Sequence, residues 1–366
     1  MRALLLTFVS LFILSGCSES LLDASGKIKE RTDSKTHSID RFDDGPYLLF
    51  DGAEILEYNI KQNRLSVMPF HGVLTINDVV PSTNDTYQGV SKIAAISDIH
   101  GQVGIFKQLL KANGIVDAQY NWRWGQGHLV ITGDIFDRGD TVTEALWLVY
   151  KLEQQAIDAG GKVHYLLGNH EYMVLRGDER YIHPKYAFTL KAMDMSLKQL
   201  FNDDSVLGRW LRTKSTVINI NGYVFLHGGI HQDYLDLKLS LEQTNALFRQ
   251  SIGYSKAHLK QQPTTATLFG RTGPIWYRGF FKDDTLSQAS VEQLLKQLGA
   301  HHIVVGHTSQ EKIETRFSQR ILAIDTSIKR GEKGELLIIK DAAKEEHHHR
   351  LLRGSLNGVI TPLVQS

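Results

Sequence analysis

Cysteine is nearly missing from this sequence: Cys17 is the sole example in 366 residues. No internal disulfide can form, and no group of thiolates is available to hold a metal. An excess of either charge is missing as well, with 41 Lys and Arg against 40 Asp and Glu and no block of one sign. Nothing therefore points to nucleic acid or another polyanion as a partner. Nor is the apolar run at the N-terminus long enough to span a membrane. Ala3 to Leu14 covers twelve residues, about 18 Å as a helix against a hydrocarbon core of about 30 Å. What is present, 42% hydrophobic and 22% charged residues, suits one large or two modest globular domains with an ample core.

Met1 and Arg2, the apolar run, and then Ser15 and Gly16 before Cys17 follow the pattern of a signal peptide over residues 1–17. LSGC resembles a bacterial lipobox, whose cysteine is acylated and becomes the new N-terminus; an ordinary signal peptide with a chance cysteine is the alternative. The expectation is an exported protein, periplasmic or anchored to the outer membrane through a lipid on Cys17. Residues 18–45 are polar and charged and read as a tether. Short apolar stretches such as PYLLF, EILEYNI, RLSVMPF and GVLTI predict a small strand-rich appendage over residues 46–90.

After Val90 apolar strands alternate with helical spacing, which marks a catalytic domain over 91–340 of α/β class. Thr141 and Glu144 form a capping-box pattern ahead of a helix that stops near Gly160 and Gly161. Asn221 and Gly222 between STVINI and YVFLH predict a hairpin. Residues 341–366 read as a C-terminal tail, and the histidines at 347–349 as solvated surface.

Five of the strands run into ligand-type side chains. KIAAIS ends at Asp98 and His100, HLVITG at Asp134, HYLLG at Asn169 and His170, YVFL at His227 and HIVVG at His307. In open α/β sheets the carboxyl ends of strands converge on the ligand crevice. Oxygen and imidazole donors without thiolate suit Mn, Fe or Zn better than a calcium cage. One such residue alone is more simply a cap or turn former; five strand ends carrying only such residues are not explained that way.

The motifs SDIHG (97–101), GDIFDRG (133–139), GNHE (168–171), HGG (227–229) and GHT (306–308) resemble, in order, those of the calcineurin-like metallophosphoesterases, phosphoprotein phosphatase group. NWRWGQGH and GPIWYRG further resemble the bacterial Shewanella-like protein phosphatases, which include cold-active protein-tyrosine phosphatases. The resemblance implies an αββα sandwich of two mixed sheets flanked by helices, and a phosphomonoesterase acting on phosphoproteins or small aryl phosphates. A nucleotide or dinucleoside polyphosphate hydrolase is the alternative, and a non-catalytic binding lipoprotein a further one.

The same resemblance implies two metal ions, with Asp98 and His100 on the first, Asp134 bridging, and Asn169, His227 and His307 on the second. Hydroxide formed between the metals would attack phosphorus with no phosphoenzyme. His170 would act as general acid, held by Asp137, and Arg138 would clamp the phosphoryl oxygens. Arg278 is the expected second clamp, with Arg271 as alternative. Trp122, Trp124, Trp276 and Tyr277 are candidates for the pocket rim or for packing, and Asp325 for support behind the metal ligands or, more simply, for a turn cap.

Overall fold

The computed structural model describes residues 41–74 and 84–363; the signal segment, Cys17 and nearly all of the tether lie outside them. Among the described residues no helix is long and apolar enough to cross a membrane. Three strands, β1 (Asp44–Asp51), β2 (Glu54–Lys61) and β3 (Arg64–Pro69), form an antiparallel sheet. GVLTI adds no strand to it: residues 72–74 are irregular and 75–76 lie outside the described residues.

The remaining strands are β4 (Thr86–Tyr87), β5 (Lys92–Ile96), β6 (His128–Ile131), β7 (Lys162–Tyr165), β8 (Val217–Ile220), β9 (Tyr223–Leu226) and β10 (His302–Val305). They are followed by β11 (Glu314–Arg316), β12 (Ile321–Ala323), β13 (Glu335–Lys340), β14 (Arg350–Ser355) and β15 (Ile360–Pro362). Two six-stranded sheets result, ordered β11-β12-β10-β9-β8-β4 and β15-β14-β13-β5-β6-β7. β5, β6 and β7 run parallel, as do β9, β10 and β12. In each sheet three carboxyl ends therefore point the same way.

The period-two geometry of a strand explains the continuous apolar runs, because both faces are covered. Ile93, Ala95, Val130, Phe225, Val304 and Leu337 join one apolar cluster drawn from both sheets. Their neighbours Ala94, Ile96, Leu129, Val224, Val305 and Ile338 join another, shared with helices α1 (Val103–Ala112) and α2 (Val142–Asp158). Each such Val, Leu or Ile side chain contributes about 1.5–3 kcal/mol on burial. Asn221 and Gly222 make the β8-β9 turn with φ of 52° and 83°, the positive pair a type I′ turn requires.

Three expectations are corrected. The tether does not reach residue 45: Asp44 begins β1 and is buried, its carboxylate accepting from Tyr47, Thr143 and Thr189 hydroxyls with Lys185 Nζ at 3.3 Å. Residues 341–366 are not a tail, since β14 pairs along the whole of β13 and β15 adds to its far side. Finally, Thr141 does not cap α2. Its hydroxyl instead donates to Gly101 O and accepts from Val103 N. The first amides of α2, Val142 and Thr143, are met by the hydroxyl of Tyr186, which lies on α4 (Pro184–Met193), the second helix after α2 and preceded by α3 (Asn169–Leu175).

Candidate metal centre

The loops after β5 and β6 are sewn together by their backbones. Asp98 N donates to Gly133 O, His100 N to Asp134 O, Gly101 N to Ile135 O and Gly139 N to His100 O. This crossing forces left-handed backbone on Asp98, His100, Asp134, Asp137 and Arg138, with φ between 47° and 72°, and His307 joins them at 63°. Non-glycine residues rarely adopt that region, and where they do they cluster at functional sites. A Cβ on Gly101 would sit 2.8 Å from Gly139 carbonyl atoms, so both motifs must end in glycine for the loops to touch.

Six donor groups converge where these loops meet the ends of β7, β9 and β10. His100 Nδ1–H donates to Phe136 O at 2.7 Å and His227 Nδ1–H to Thr132 O at 2.9 Å. A carbonyl can only accept, so each Nε2 keeps its lone pair and aims it inward. His100 Nε2 lies 3.7 Å from Asp98 Oδ1 and 3.6 Å from Asp134 Oδ2. His227 Nε2 lies 3.1 Å from the same Asp134 oxygen, 2.9 Å from Asn169 Oδ1 and 3.1 Å from His307 Nδ1. Asp134 thus stands between two histidines on opposite sides.

So many acceptors at such distances, all buried, require positive charge among them. Burial opposes a charged His227, yet the carboxylates of Asp134, Asp98 and Glu171 together outweigh it and push that imidazole up to about 9. Burial and the nearby Asp325 push Asp98 up to about 7. Burial also holds the imidazoles of His100 and His307 well below their ordinary range, which keeps them neutral donors. A metal cation satisfies all four tendencies, and the His, Asp and Asn donors fit divalent ions.

Beside this cluster, His170 Nδ1 is 2.5 Å from Asp137 Oδ2, and its Nε2 is 3.8 Å from Asp134 Oδ2. Burial works against its charged form, but Asp134 and Asp137 prevail and raise its pKa. Arg138 reaches both rings, with Nε 3.3 Å from His100 Nε2 and a terminal nitrogen 3.5 Å from His170 Nε2. Arg278 donates to His307 O at 2.7 Å. Arg271 is exposed and lies in a neighbouring groove.

Trp276 meets His307 edge-on with ring centres 5.6 Å apart. Trp122 and Trp124 are not at the rim: they precede β6, whose far end carries Asp134, and the first residue of β5, Lys92, covers Trp124. Tyr277 packs on His231 and Phe280. Asp325 caps its turn by accepting from Ser309 and from Ser327 N.

Two residues carry parts of the site that no motif reading assigned. Tyr181 is 44% exposed at the mouth, its ring 5.4 Å from that of His170. Glu171 is fully buried and accepts from Asp134 N at 2.8 Å, Ile135 N at 2.7 Å, Gly168 N at 2.7 Å and the Tyr165 hydroxyl at 2.8 Å. Burial and the nearby Asp134 raise its pKa, while the backbone amides and the Tyr165 hydroxyl that donate to it favour the carboxylate. Glu171→Gln turns an NH2 against those donors and should destabilise the protein by about 2–4 kcal/mol. Urea unfolding with an unchanged slope would measure it; an unshifted midpoint would remove this role from Glu171.

Residues 91–311 match the calcineurin-like phosphoesterase family. The cold-active protein-tyrosine phosphatase of a psychrophilic Shewanella species superposes with a TM-score of 0.83 and 40% identity, covering 88% of this chain and 100% of that one. An uncharacterized protein of Schizosaccharomyces pombe is 30% identical over 263 residues, 68% of this chain and 76% of its own. Shewanella-like protein phosphatase 1 of Plasmodium berghei is 27% identical over 254 residues, 67% of this chain and 69% of its own. The donor cluster at the strand ends and these similarities agree: the chain belongs to the calcineurin-like phosphoesterases and is a metal-dependent phosphatase.

Proposed function

We propose that the chain is a protein phosphatase with a preference for phosphotyrosine, working through two metal ions. The first would be held by Asp98 and His100, the second by Asn169, His227 and His307, with Asp134 shared. The observation that carries this reading is the single Asp134 oxygen set between His100 and His227. Bound there, the cations would polarise the phosphoryl group and acidify water.

The remaining work falls to the chain's own side chains. Arg138 and Arg278 approach the cluster from different loops and bind the equatorial phosphoryl oxygens, where negative charge accumulates. His170, oriented through Nδ1 by Asp137, gives its Nε2 proton to the leaving oxygen. Tyr181 and Trp276 offer aromatic faces beside His170 and His307, which favours an aryl leaving group. No nucleophilic side chain is required. The N-terminal pattern supports an exported lipoprotein anchored through Cys17.

Turnover of a phosphotyrosine peptide, its phosphoserine counterpart and a dinucleoside polyphosphate tests the reading. The phosphotyrosine peptide should have the highest kcat/KM. Hydrolysis of the dinucleoside polyphosphate alone would replace this reading with a nucleotide hydrolase.

A further inference from the structure

A groove of about 450 Å³ opens beside the metal centre, within the size of ligand sites. Its floor includes Leu259, Ala266 and Phe269, and its walls carry Arg176, Lys256, Lys260 and Arg271. Trp276 belongs both to this groove and, through its contact with His307, to the centre.

The charge of the groove is one-sided. Asp178 is shared by Arg176 at 3.4 Å and Arg180 at 2.7 Å. Among the described residues no ion pair reaches Lys256, Lys260 or Arg271. Burial and the guanidiniums of Arg180 and Arg176 hold the Lys256 ammonium below its usual range, a sign of crowded like charge. An ordinary solvated surface would intersperse acids among these cations. Arg176 and Lys260 have a local explanation, since each follows the last residue of a short helix, where a cation is favourable; Arg271 lies outside any helix.

The distance to the reacting phosphate follows from α3. Asn169 and His170 begin this helix at the metal centre, and Arg176 follows its last residue, so about 10 Å separates them at ~1.5 Å per residue. An extended peptide covers that in about three residues.

We infer that this groove is a subsite for acidic side chains of the substrate polypeptide, lying about three residues from the phosphorylated one. The inference rests on the protein phosphatase reading above. Aspartate or glutamate there would pair with Lys256, Lys260 and Arg271 while neighbouring apolar atoms rest on Phe269 and Leu259. The gain appears as a lower KM that weakens with salt, because the pairs are partly exposed.

The test compares phosphotyrosine peptides bearing Glu or Gln at the second to fourth residues on either side. Each is assayed with the wild type and with a Lys256→Glu, Lys260→Glu double variant, alongside p-nitrophenyl phosphate. The wild type should favour the Glu peptide by roughly tenfold in KM at low salt, and the double variant should lose or invert that preference. Turnover of p-nitrophenyl phosphate should be unchanged. Equal KM for the two peptides in the wild type, or a preference that survives the double substitution, overturns the subsite. Hydrolysis of p-nitrophenyl phosphate with no phosphopeptide turnover overturns instead the reading on which it rests.

Discussion

His170→Asn is expected to lower kcat on a phosphotyrosine peptide by roughly 100- to 10,000-fold with KM little changed. The imidazole is buried, which disfavours its charged form, but Asp134 and Asp137 raise its pKa above the ordinary value. In the proposed reaction it would therefore carry the proton that the leaving oxygen needs. Asparagine can still accept or donate a hydrogen bond near Asp137, so the fold and the phosphate clamp survive, while the transferable proton does not. The loss should shrink for p-nitrophenyl phosphate, whose leaving oxygen is more acidic and needs less help. A variant with the wild-type rate on both substrates would remove His170 from the chemistry.

Asp134→Asn is expected to reduce turnover by at least about a thousandfold, because in the proposed two-metal arrangement one carboxylate would serve both sides of the centre. Its Oδ2 lies 3.6 Å from His100 Nε2 and 3.1 Å from His227 Nε2, and its Oδ1 accepts from His170 N at 3.0 Å. Asparagine keeps the shape but takes away the negative charge. It also turns either an amide nitrogen toward the histidine lone pairs or a weaker oxygen toward the cations. Metal affinity should fall on both sides of Asp134 together, whereas substitution of His100 or His227 should weaken mainly one side.

The strand ends of this site were legible because apolar runs give way abruptly to Asp, His and Asn, and the topology carries those ends together. β5, β6 and β7 are parallel in one sheet and β9 and β10 in the other, so residues from 98 to 307 meet. What stayed hidden depends on partners far away in the chain. Asp44 reads as solvated, yet hydroxyls from Thr143 and Thr189, about a hundred residues on and more, bury it. β14 was missed because RLLRGS mixes arginines with leucines, the pattern of a strand near a sheet's edge with partly exposed side chains. Thr141 fits a capping box by spacing, but the Tyr186 hydroxyl takes the amides of α2 and frees Thr141 to tie two loops together. Trp122 and Trp124 have the composition of a rim but lie in the loop before β6, at the end of that strand opposite Asp134. Glu171 lay inside a recognised motif, and only the donors around it reveal that it braces the Asp134 loop.

The most direct test of the account is a metal titration of chelator-stripped wild-type protein, following phosphatase turnover as Mn(II) is added, with Asp134→Asn in parallel. Turnover should lie below about 1% in the stripped protein and recover with a break near about two equivalents per chain, with no such recovery in Asp134→Asn. Stripped protein that holds no metal and still hydrolyses phosphate esters at the untreated rate would contradict it.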